Sequence, residues 1–251
     1  MALSDLTAGL RGAVGFLTRV PVGGDERDWN RFRAFPAAFP IVAYPLGLAV
    51  ALALVFAPTP AVAAFGYLLA LVALVGIPHL DGVADVGDAA AAHGADATVS
   101  ALTDTATGVG AIVAVAVVVS GLVLGAFGLA ALPAGTAVGI VVAAEVGAKL
   151  GMATVACLGT AAHDGLGSAF TGSAEPALLV GPALAALPAA LFLVPLPVGV
   201  AIVAAGPAVA VVAIRWANRT LGGVNGDIFG ATNEFARVLG LHVGVIAWTF
   251  Y

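Results

Sequence analysis

The feature that most constrains the fold is a series of apolar segments, each of about the length that crosses a bilayer as a helix. Six such segments lie at about 38–57, 61–77, 109–132, 134–158, 176–194 and 198–214. A further apolar stretch, 238–251, is short for a crossing. Charged residues make up 9% of the chain, whereas soluble proteins carry about 25%. Lipid offers backbone polar groups no partner outside helices or closed barrels. The sequence therefore predicts an all-α, polytopic integral membrane helix bundle with six to seven transmembrane helices, in a single membrane domain over 1–251.

The distribution of charge predicts an orientation. The turns around Pro58, Pro133 and Pro195 contain no charged residue, so every long polar loop falls on the other side of three helical hairpins. Seven arginines lie on that side: Arg19, Arg27, Arg31, Arg33, Arg215, Arg219 and Arg237. By the positive-inside rule that side is cytoplasmic, which predicts a multi-pass protein of the cell membrane. The net charge of -5 argues against a nucleic-acid partner.

A short acidic stretch interrupts the apolar pattern directly after the second segment. It contains His79, Asp81, Asp85 and Asp88. The three aspartates are spaced i, i+4, i+7, so a helix places them on one face, where like charges repel. A divalent cation would relieve that repulsion, and an all-oxygen ligand set favours Mg²⁺ or Mn²⁺. The alternative, a solvated acidic surface with Asp81 as a helix cap, stays open.

A second polar stretch is rich in glycine. It contains Gly222, Gly223, Gly226, Asp227 and Glu234. Glycine pairs allow close backbone approach, and successive free N–H groups can bind an anion. Asp227 and Glu234 at i+7 share one helix face, which predicts a second acidic site. A turn followed by an N-cap is the alternative interpretation.

Other polar residues extend the candidate site. Asp104 is a catalytic candidate or an N-cap, and Arg19 is a phosphate ligand or a membrane anchor. Glu145 and Lys149 at i, i+4 suit an intrahelical ion pair or a functional role. Carboxylates, a glycine loop and arginines at one membrane face are suited to binding a diphosphate with Mg²⁺. From the residues alone we predict a metal-dependent phosphotransfer enzyme of the membrane surface.

These motifs together resemble the cobalamin synthase family, adenosylcobinamide-GDP ribazoletransferase. The resemblance covers nearly the whole chain, and its motifs lie at residues 16–21, 39–42, 79–88, 165–170 and 222–234. It implies an integral membrane enzyme that requires Mg²⁺. The reaction it implies joins α-ribazole, or its 5′-phosphate, to adenosylcobinamide-GDP and releases GMP.

The resemblance also implies roles for single residues. Asp81, Asp85, Asp88 and Asp227 would be the metal ligands. His79, Asp104, Asp227 and Glu234 would be catalytic. Substrate binding would fall to Arg19, Lys149, Gly222, Gly223, Gly226 and Arg219.

Two positions depart from the family pattern. Ala106 stands where the family usually has arginine, so that phosphate contact would fall to Arg19, Lys149 or Arg219. Arg237 stands where a further acidic residue is usual.

Two other functions are compatible with parts of this pattern. A CDP-alcohol phosphotransferase of phospholipid synthesis would also use helical aspartates and Mg²⁺, but its Asp-Gly-x-x-Ala-Arg motif is incomplete at Asp81–Asp85. A non-catalytic transporter would be expected to carry polar groups near mid-bilayer. The expected partners of this chain are the lipid bilayer and the two substrates. Whether it also forms a homo-oligomer or binds other enzymes of the corrinoid pathway stays open.

Overall fold

The computed structural model describes residues 3–92 and 107–250, and in this part of the chain the regular structure is helical. The helices are α1 (Leu3–Leu17), α2 (Glu26–Arg33), α3 (Ala38–Phe56), α4 (Pro60–Leu74), α5 (Pro78–Ala91), α6 (Val109–Leu129), α7 (Ala134–Leu158), α8 (Leu166–Thr171), α9 (Val180–Phe192), α10 (Leu196–Thr220) and α11 (Gly226–Trp248), with a 3₁₀ turn at Pro176–Leu179. The prediction of an all-α membrane bundle is confirmed. Asp104 and Ala106 lie outside the described residues.

The number of membrane spans is smaller in the structure than the predicted six to seven. Among the described helices, α3, α6, α7 and α10 are long and apolar enough to cross a bilayer. The pair α4 and α5 would add a fifth span, but the two helices are bent by 98° at the break between them. Gly76, with φ of 86°, and Pro78 at the start of α5 account for this break.

Three other segments explain the remaining difference in the count. Helix α4 has 15 residues and α9 has 13, both short of the roughly 20 needed for a full crossing. The stretch 238–251 is not a separate span, because α11 runs without a break from Gly226 to Trp248. The count of six to seven is therefore not confirmed.

Helix α7 is the centre of the bundle. Nearly every residue from Ala137 to Cys157 is buried, and α3, α9, α10 and α11 pack around it. Its sequence is rich in glycine and alanine, which let neighbouring helices approach closely in a membrane protein. This position means that polar side chains on α7 are enclosed by the bundle and away from lipid.

The helices bring the polar motifs to one end of the bundle. The turns near Pro58, Pro133 and Pro195 connect α3 to α4, α6 to α7 and α9 to α10, as predicted. At the opposite end, α5 packs on α11 and on the beginning of α6. The glycine loop before α11 pairs with the loop after α7. We call this end of the molecule the polar end.

The amphipathic segment at the N-terminus also packs at the polar end. Helix α2 begins with a capping box formed by Asp25 and Asp28, and Arg11 of α1 donates to Asp28 at 2.6 Å. An aromatic cluster then joins α1, α2, α3, α8 and α11. Its members are Phe16, Trp29, Phe32, Phe39, Phe170 and Phe229. Through Phe170, this cluster packs α8, in the segment after α7, against α1, α2, α3 and α11.

Candidate functional site

The acidic stretch and the glycine stretch meet where α5 crosses α11. A Cβ atom on Gly82 would lie 2.8 Å from the carbonyl oxygen of Asp227 and 3.0 Å from its Cα. A Cβ on Gly230 would lie 3.1 Å from Cα and the carbonyl oxygen of His79. A side chain at position 82 would force the two backbones apart, and one at position 230 would be tightly packed, so glycine at both positions favours the close crossing. Asp81 and Asp85, which flank Gly82 on α5, are thereby brought near Asp227.

The charges of these carboxylates affect one another's protonation. Burial raises the pKa of Asp85, and the charges of Asp227, Asp81 and Asp88 raise it further. Burial also raises the pKa of Asp227; Asp81 adds to the effect, while a hydrogen bond from Asn225 opposes it. Like charges that share a site favour the protonated form unless a cation neutralises them. The polar end is therefore a place where a cation would be stabilising.

Asp88 has structural contacts of its own. Its two carboxylate oxygens accept hydrogen bonds from the backbone N–H groups of Gly108, at 2.7 Å, and Ala111, at 2.8 Å. These N–H groups belong to the beginning of α6, where a helix has no internal acceptors. Asp88 thus anchors α6 against α5, and a role for it in metal binding stays a prediction.

The glycine loop is fixed by backbone pairing. Val224 N–H donates to the carbonyl of Thr160 at 2.7 Å, and Ala162 N–H donates to the carbonyl of Val224 at 3.0 Å. A Cβ on Gly223 would lie 2.5 Å from the Thr160 carbonyl oxygen, so no larger residue fits. Gly223 N–H donates to Ala217 at 3.3 Å.

This pairing changes the expected anion site. Since the N–H groups of Gly223 and Val224 already have acceptors, they are not the free donors that the sequence suggested. Gly226 and Asp227 lie in the first turn of α11, whose N–H groups have no acceptor inside the helix. The beginning of α11 is therefore the better candidate for contacting an anion.

Asp227 is not the N-cap of α11. Asn225 has that role, because its Oδ1 accepts from Ile228 N–H at 3.1 Å. The other end of the same amide, Nδ2, donates to Asp227 Oδ2 at 2.8 Å. The interpretation of Asp227 as a simple helix cap is wrong, and within 3–92 and 107–250 no side chain or backbone donor reaches its second carboxylate oxygen.

A buried polar network lies beneath the acidic residues. Arg237 of α11 donates to Glu145 of α7 at 2.5 Å and to Glu234 at 2.5 Å. Lys149 donates to Asn233 Oδ1 at 2.6 Å, and Asn233 Nδ2 lies 3.1 Å from His79 Nδ1. All of these side chains are buried. The network joins α5, α7 and α11.

Two expectations from the sequence are wrong here. Glu145 pairs with Arg237, so the intrahelical ion pair with Lys149, one of the two interpretations of their spacing, does not form. Arg237 is 1% exposed in the interior of α11, so it does not belong to the arginines of the polar loops. Lys149, a predicted substrate ligand, is fully buried behind Asn233. Sequence spacing identifies neighbours on one helix but not the partner that a second helix supplies.

The predicted arginines lie at the polar end but outside this network. Arg19 is exposed, its N–H donates to the carbonyl of Leu74 at 2.7 Å, and its side chain packs on Gly76 just before α5. Arg219 is exposed in the last turn of α10, three residues before Gly222. Both are placed where a phosphate at the beginning of α5 or α11 could be contacted.

The sequence analysis missed two asparagines, Asn225 and Asn233. A signal was present, because Gly230, Asn233 and Arg237 follow Asp227 at intervals of three and four residues. That spacing puts them along one face of α11, and the face continues from the acidic site into the bundle.

The donor atoms at the polar end are suited to Mg²⁺. No three metal-ligating side chains within 3–92 and 107–250 form a ready-made metal site. Mg²⁺ commonly takes one or two carboxylates and completes its shell with water and substrate phosphates. Asp81, Asp85 and Asp227 offer such carboxylates on facing helices. The residues therefore fit a Mg²⁺ ion bound together with a phosphorylated substrate.

The close crossing at Gly82 leads to a first prediction. Gly82→Ala should push α5 away from the Asp227 backbone, and overpacking of this kind costs about 1–3 kcal/mol. Separation of the acidic residues should lower turnover as well. Gly135→Ala is the matched control, since a Cβ there meets nothing within 4 Å. Thermal unfolding and turnover of the two variants, measured side by side, would test this; equal behaviour would contradict the crossing.

Comparisons with known proteins identify the family of this chain. Residues 9–245 match the family of cobalamin-5-phosphate synthases. A relative from Halorubrum lacusprofundi, an adenosylcobinamide-GDP ribazoletransferase, is 51% identical, with 97% of this chain and 98% of the relative covered. A relative of the same name from Halobacterium salinarum is 57% identical over 74% of this chain and 94% of its own length. One from Haloquadratum walsbyi is 41% identical over 95% of this chain and 97% of its own.

No solved structure matches the chain at a significant level. The family match and the relatives each cover most of the sequence, including both polar stretches that meet at the crossing of α5 and α11. The chain therefore belongs to the cobalamin-5-phosphate synthase family.

Proposed function

We propose that this chain is an adenosylcobinamide-GDP ribazoletransferase that uses Mg²⁺ at the cytoplasmic face of the cell membrane. It joins α-ribazole, or its 5′-phosphate, to adenosylcobinamide-GDP and releases GMP. The observation that carries this proposal is the convergence of Asp81 and Asp85 with Asp227, in a chain whose named relatives have this activity.

The products define the bond changes. Release of GMP requires that a ribazole hydroxyl attack the phosphorus next to cobinamide and that the P–O bond to GMP break. Negative charge on the diphosphate must be neutralised, and the reactants must be held in line. When bound, Mg²⁺ supplies that neutralisation, with Asp81, Asp85 and Asp227 as its protein ligands.

Other residues of the polar end would hold the diphosphate and the acceptor. Arg19 and Arg219 are exposed cations beside the two motifs, and arginine suits phosphate oxygens. The N–H groups in the first turn of α11 are further hydrogen-bond donors, and the partial positive charge at this end of the helix dipole attracts a phosphate. His79 lies on α5 next to the crossing, where it can act on a substrate oxygen.

A direct assay tests the proposal. Membranes containing the protein are incubated with adenosylcobinamide-GDP, α-ribazole and Mg²⁺, and cobalamin and GMP are quantified. Formation of both in equal amounts is the expected result. A parallel reaction with a CDP-alcohol and a lipid acceptor should give no product; activity only in that reaction would reject the proposal.

The metal assignment has its own prediction. Asp81→Asn should raise the Mg²⁺ concentration needed for half-maximal turnover by at least about tenfold, because loss of a residue that only supports a ligand already costs about 10–100-fold in metal affinity and Asp81 is proposed as a ligand itself. The variant should remain folded, because Asp81 is exposed and its loss removes like-charge repulsion. A Mg²⁺ titration of the variant and the parent protein measures this. An unchanged titration curve would remove Asp81 from the metal site.

The orientation is tested by labelling. Six arginines remain at the polar end once Arg237 is removed from the predicted set, which supports a cytoplasmic position. Pro58→Cys and Leu196→Cys, both exposed at the other end, should react with an impermeant maleimide from outside intact cells. Asp164→Cys, exposed at the polar end, should react only after permeabilisation. Cys157 is buried and should stay silent. Labelling of position 164 from outside intact cells would mean that the polar end faces the outside, which would contradict the proposed orientation.

A further inference from the structure

The buried network fixes the orientation of the Asn233 amide. Lys149 Nζ lies 2.6 Å from one terminal atom of this amide. An ammonium group can only donate, so that atom must be the oxygen. Glu234 Oε1 lies 2.9 Å from the other terminal atom. Glu234 is paired with Arg237 and accepts as a carboxylate, so that second atom must be the NH₂ group. Two independent partners give the same orientation.

The fixed amide in turn decides which ring nitrogen of His79 carries the proton. The NH₂ group of Asn233 lies 3.1 Å from His79 Nδ1. Its two hydrogens then have two acceptors, Glu234 Oε1 and the lone pair of Nδ1. A proton on Nδ1 would instead face the NH₂ group, and two buried donors would oppose each other. In a neutral imidazole with Nδ1 as the acceptor, the proton is on Nε2.

The alternative partner for His79 does not change this result. Glu234 Oε1 is 3.6 Å from His79 Nδ1, which is too far for a hydrogen bond. The Asn233 NH₂ group is the nearer of the two and also contacts this same carboxylate oxygen. The side chains of His79, Lys149, Asn233 and Glu234 are all buried, so water is a poor substitute for the missing partner.

We propose that Lys149 and Asn233 are positioning residues that hold His79 in its Nε2–H form, so that His79 donates a hydrogen bond to a phosphate or hydroxyl oxygen of the substrate. The contact of His79 with the substrate rests on the proposed function. The assignment of the ring proton to Nε2 rests on the buried network alone. In this form Nδ1 is occupied and Nε2 carries hydrogen, so His79 does not serve as a base. A buried lysine and asparagine thereby act on the reaction without touching the substrate.

Nitrogen-15 NMR of histidine-labelled protein in detergent, without substrate, tests the position of the proton. The His79 signals are identified by their loss in His79→Gln. We expect Nε2 to show the shift of a protonated nitrogen and Nδ1 that of an unprotonated one. His242 is an internal reference, because its Nε2 lies 2.9 Å from the carbonyl oxygen of Gly121 and must donate to it. A protonated Nδ1 in His79 would overturn the proposal.

Lys149→Met tests the positioning role. The substitution keeps the length of the side chain but leaves the buried Asn233 oxygen without its donor. The amide then has one partner, Glu234, in place of two, so the His79 signals should depart in part from the pure Nε2–H pattern. The His242 signals should stay unchanged. If the His79 signals also stay unchanged, Lys149 does not set the form of the ring.

Two substitutions of His79 test the donor role in turnover. The amide nitrogen of glutamine can take the place of Nε2, whereas that of asparagine reaches only the place of Nδ1. We expect His79→Gln to retain at least tenfold more turnover than His79→Asn. Equal losses would overturn the donor role. Absence of product from the parent protein would instead reject the proposed function, and the spectrum would still decide where the proton lies.

Discussion

Replacement of Asp227 by asparagine should lower kcat by about 100-fold or more while the protein remains folded. Losses of this size follow when a group that stabilises charge in the transition state is removed. The fold should survive because Asn225, not Asp227, caps α11. The oxygen of an asparagine at position 227 can still accept the hydrogen bond that Asn225 Nδ2 donates at 2.8 Å. The measurement is kcat and KM together with the thermal unfolding midpoint.

A matched substitution distinguishes a local effect from a general effect of charge. Asp164→Asn removes the same charge from an exposed loop at the polar end and should leave turnover unchanged. If Asp227→Asn has normal kcat and KM, Asp227 is not part of the site. If both substitutions lower turnover equally, the field of the whole polar end, and not a contact made by Asp227, is responsible.

Arg237→Met should be the most destabilising single change in the buried network. Arg237 is the shared partner of Glu145 and Glu234, and all three side chains are buried. Removal of the arginine leaves two buried carboxylates without their cation. Breaking a buried ion pair in this way costs about 3–5 kcal/mol. The expected result is a large drop in the thermal unfolding midpoint in detergent and a lower yield of folded protein.

Two further variants show whether the loss comes from the unpaired charge. Glu145→Gln combined with Arg237→Met removes one of the stranded carboxylates, so the double variant should be more stable than Arg237→Met alone. Arg27→Met is the surface control, since Arg27 forms an exposed ion pair with Asp5 and should cost less than about 1 kcal/mol. A double variant less stable than the single one would mean that Glu145 stabilises the bundle through other contacts.

The two asparagines show which chemistry the sequence concealed. Asn225 and Asn233 carry no charge, so they were not recognised as part of the site, although Asn233 lies at helical spacing from Asp227. In the structure, Asn225 caps α11 and contacts Asp227, and Asn233 connects Lys149 to His79. The hydrogen bonds of Asn225 are local to the beginning of α11, whereas those of Asn233 join α11 to α7 and α5. The role of Asn233 becomes visible only when the helices are packed.

The sequence by itself determined the class of the fold and the presence of two acidic stretches. Apolar segments in a chain with few charges require helices in lipid, and helical spacing alone put Asp81 and Asp85 on one face. Because local properties decide these features, the turns at Pro58, Pro133 and Pro195 and the existence of two acidic stretches could be predicted.

Only the tertiary structure decided how these parts are combined. Hydropathy counts apolar residues but does not detect where a helix bends, so the break at Gly76 and the continuous α11 changed the number of spans. The i, i+4 spacing favoured Glu145 and Lys149 as partners, yet Arg237 on another helix comes closer to Glu145. A buried charge takes the partner that packing brings to it, because an ion pair out of water is stable only when its geometry and hydrogen bonds are complete. That choice depends on contacts between residues distant in the chain, which no local pattern specifies.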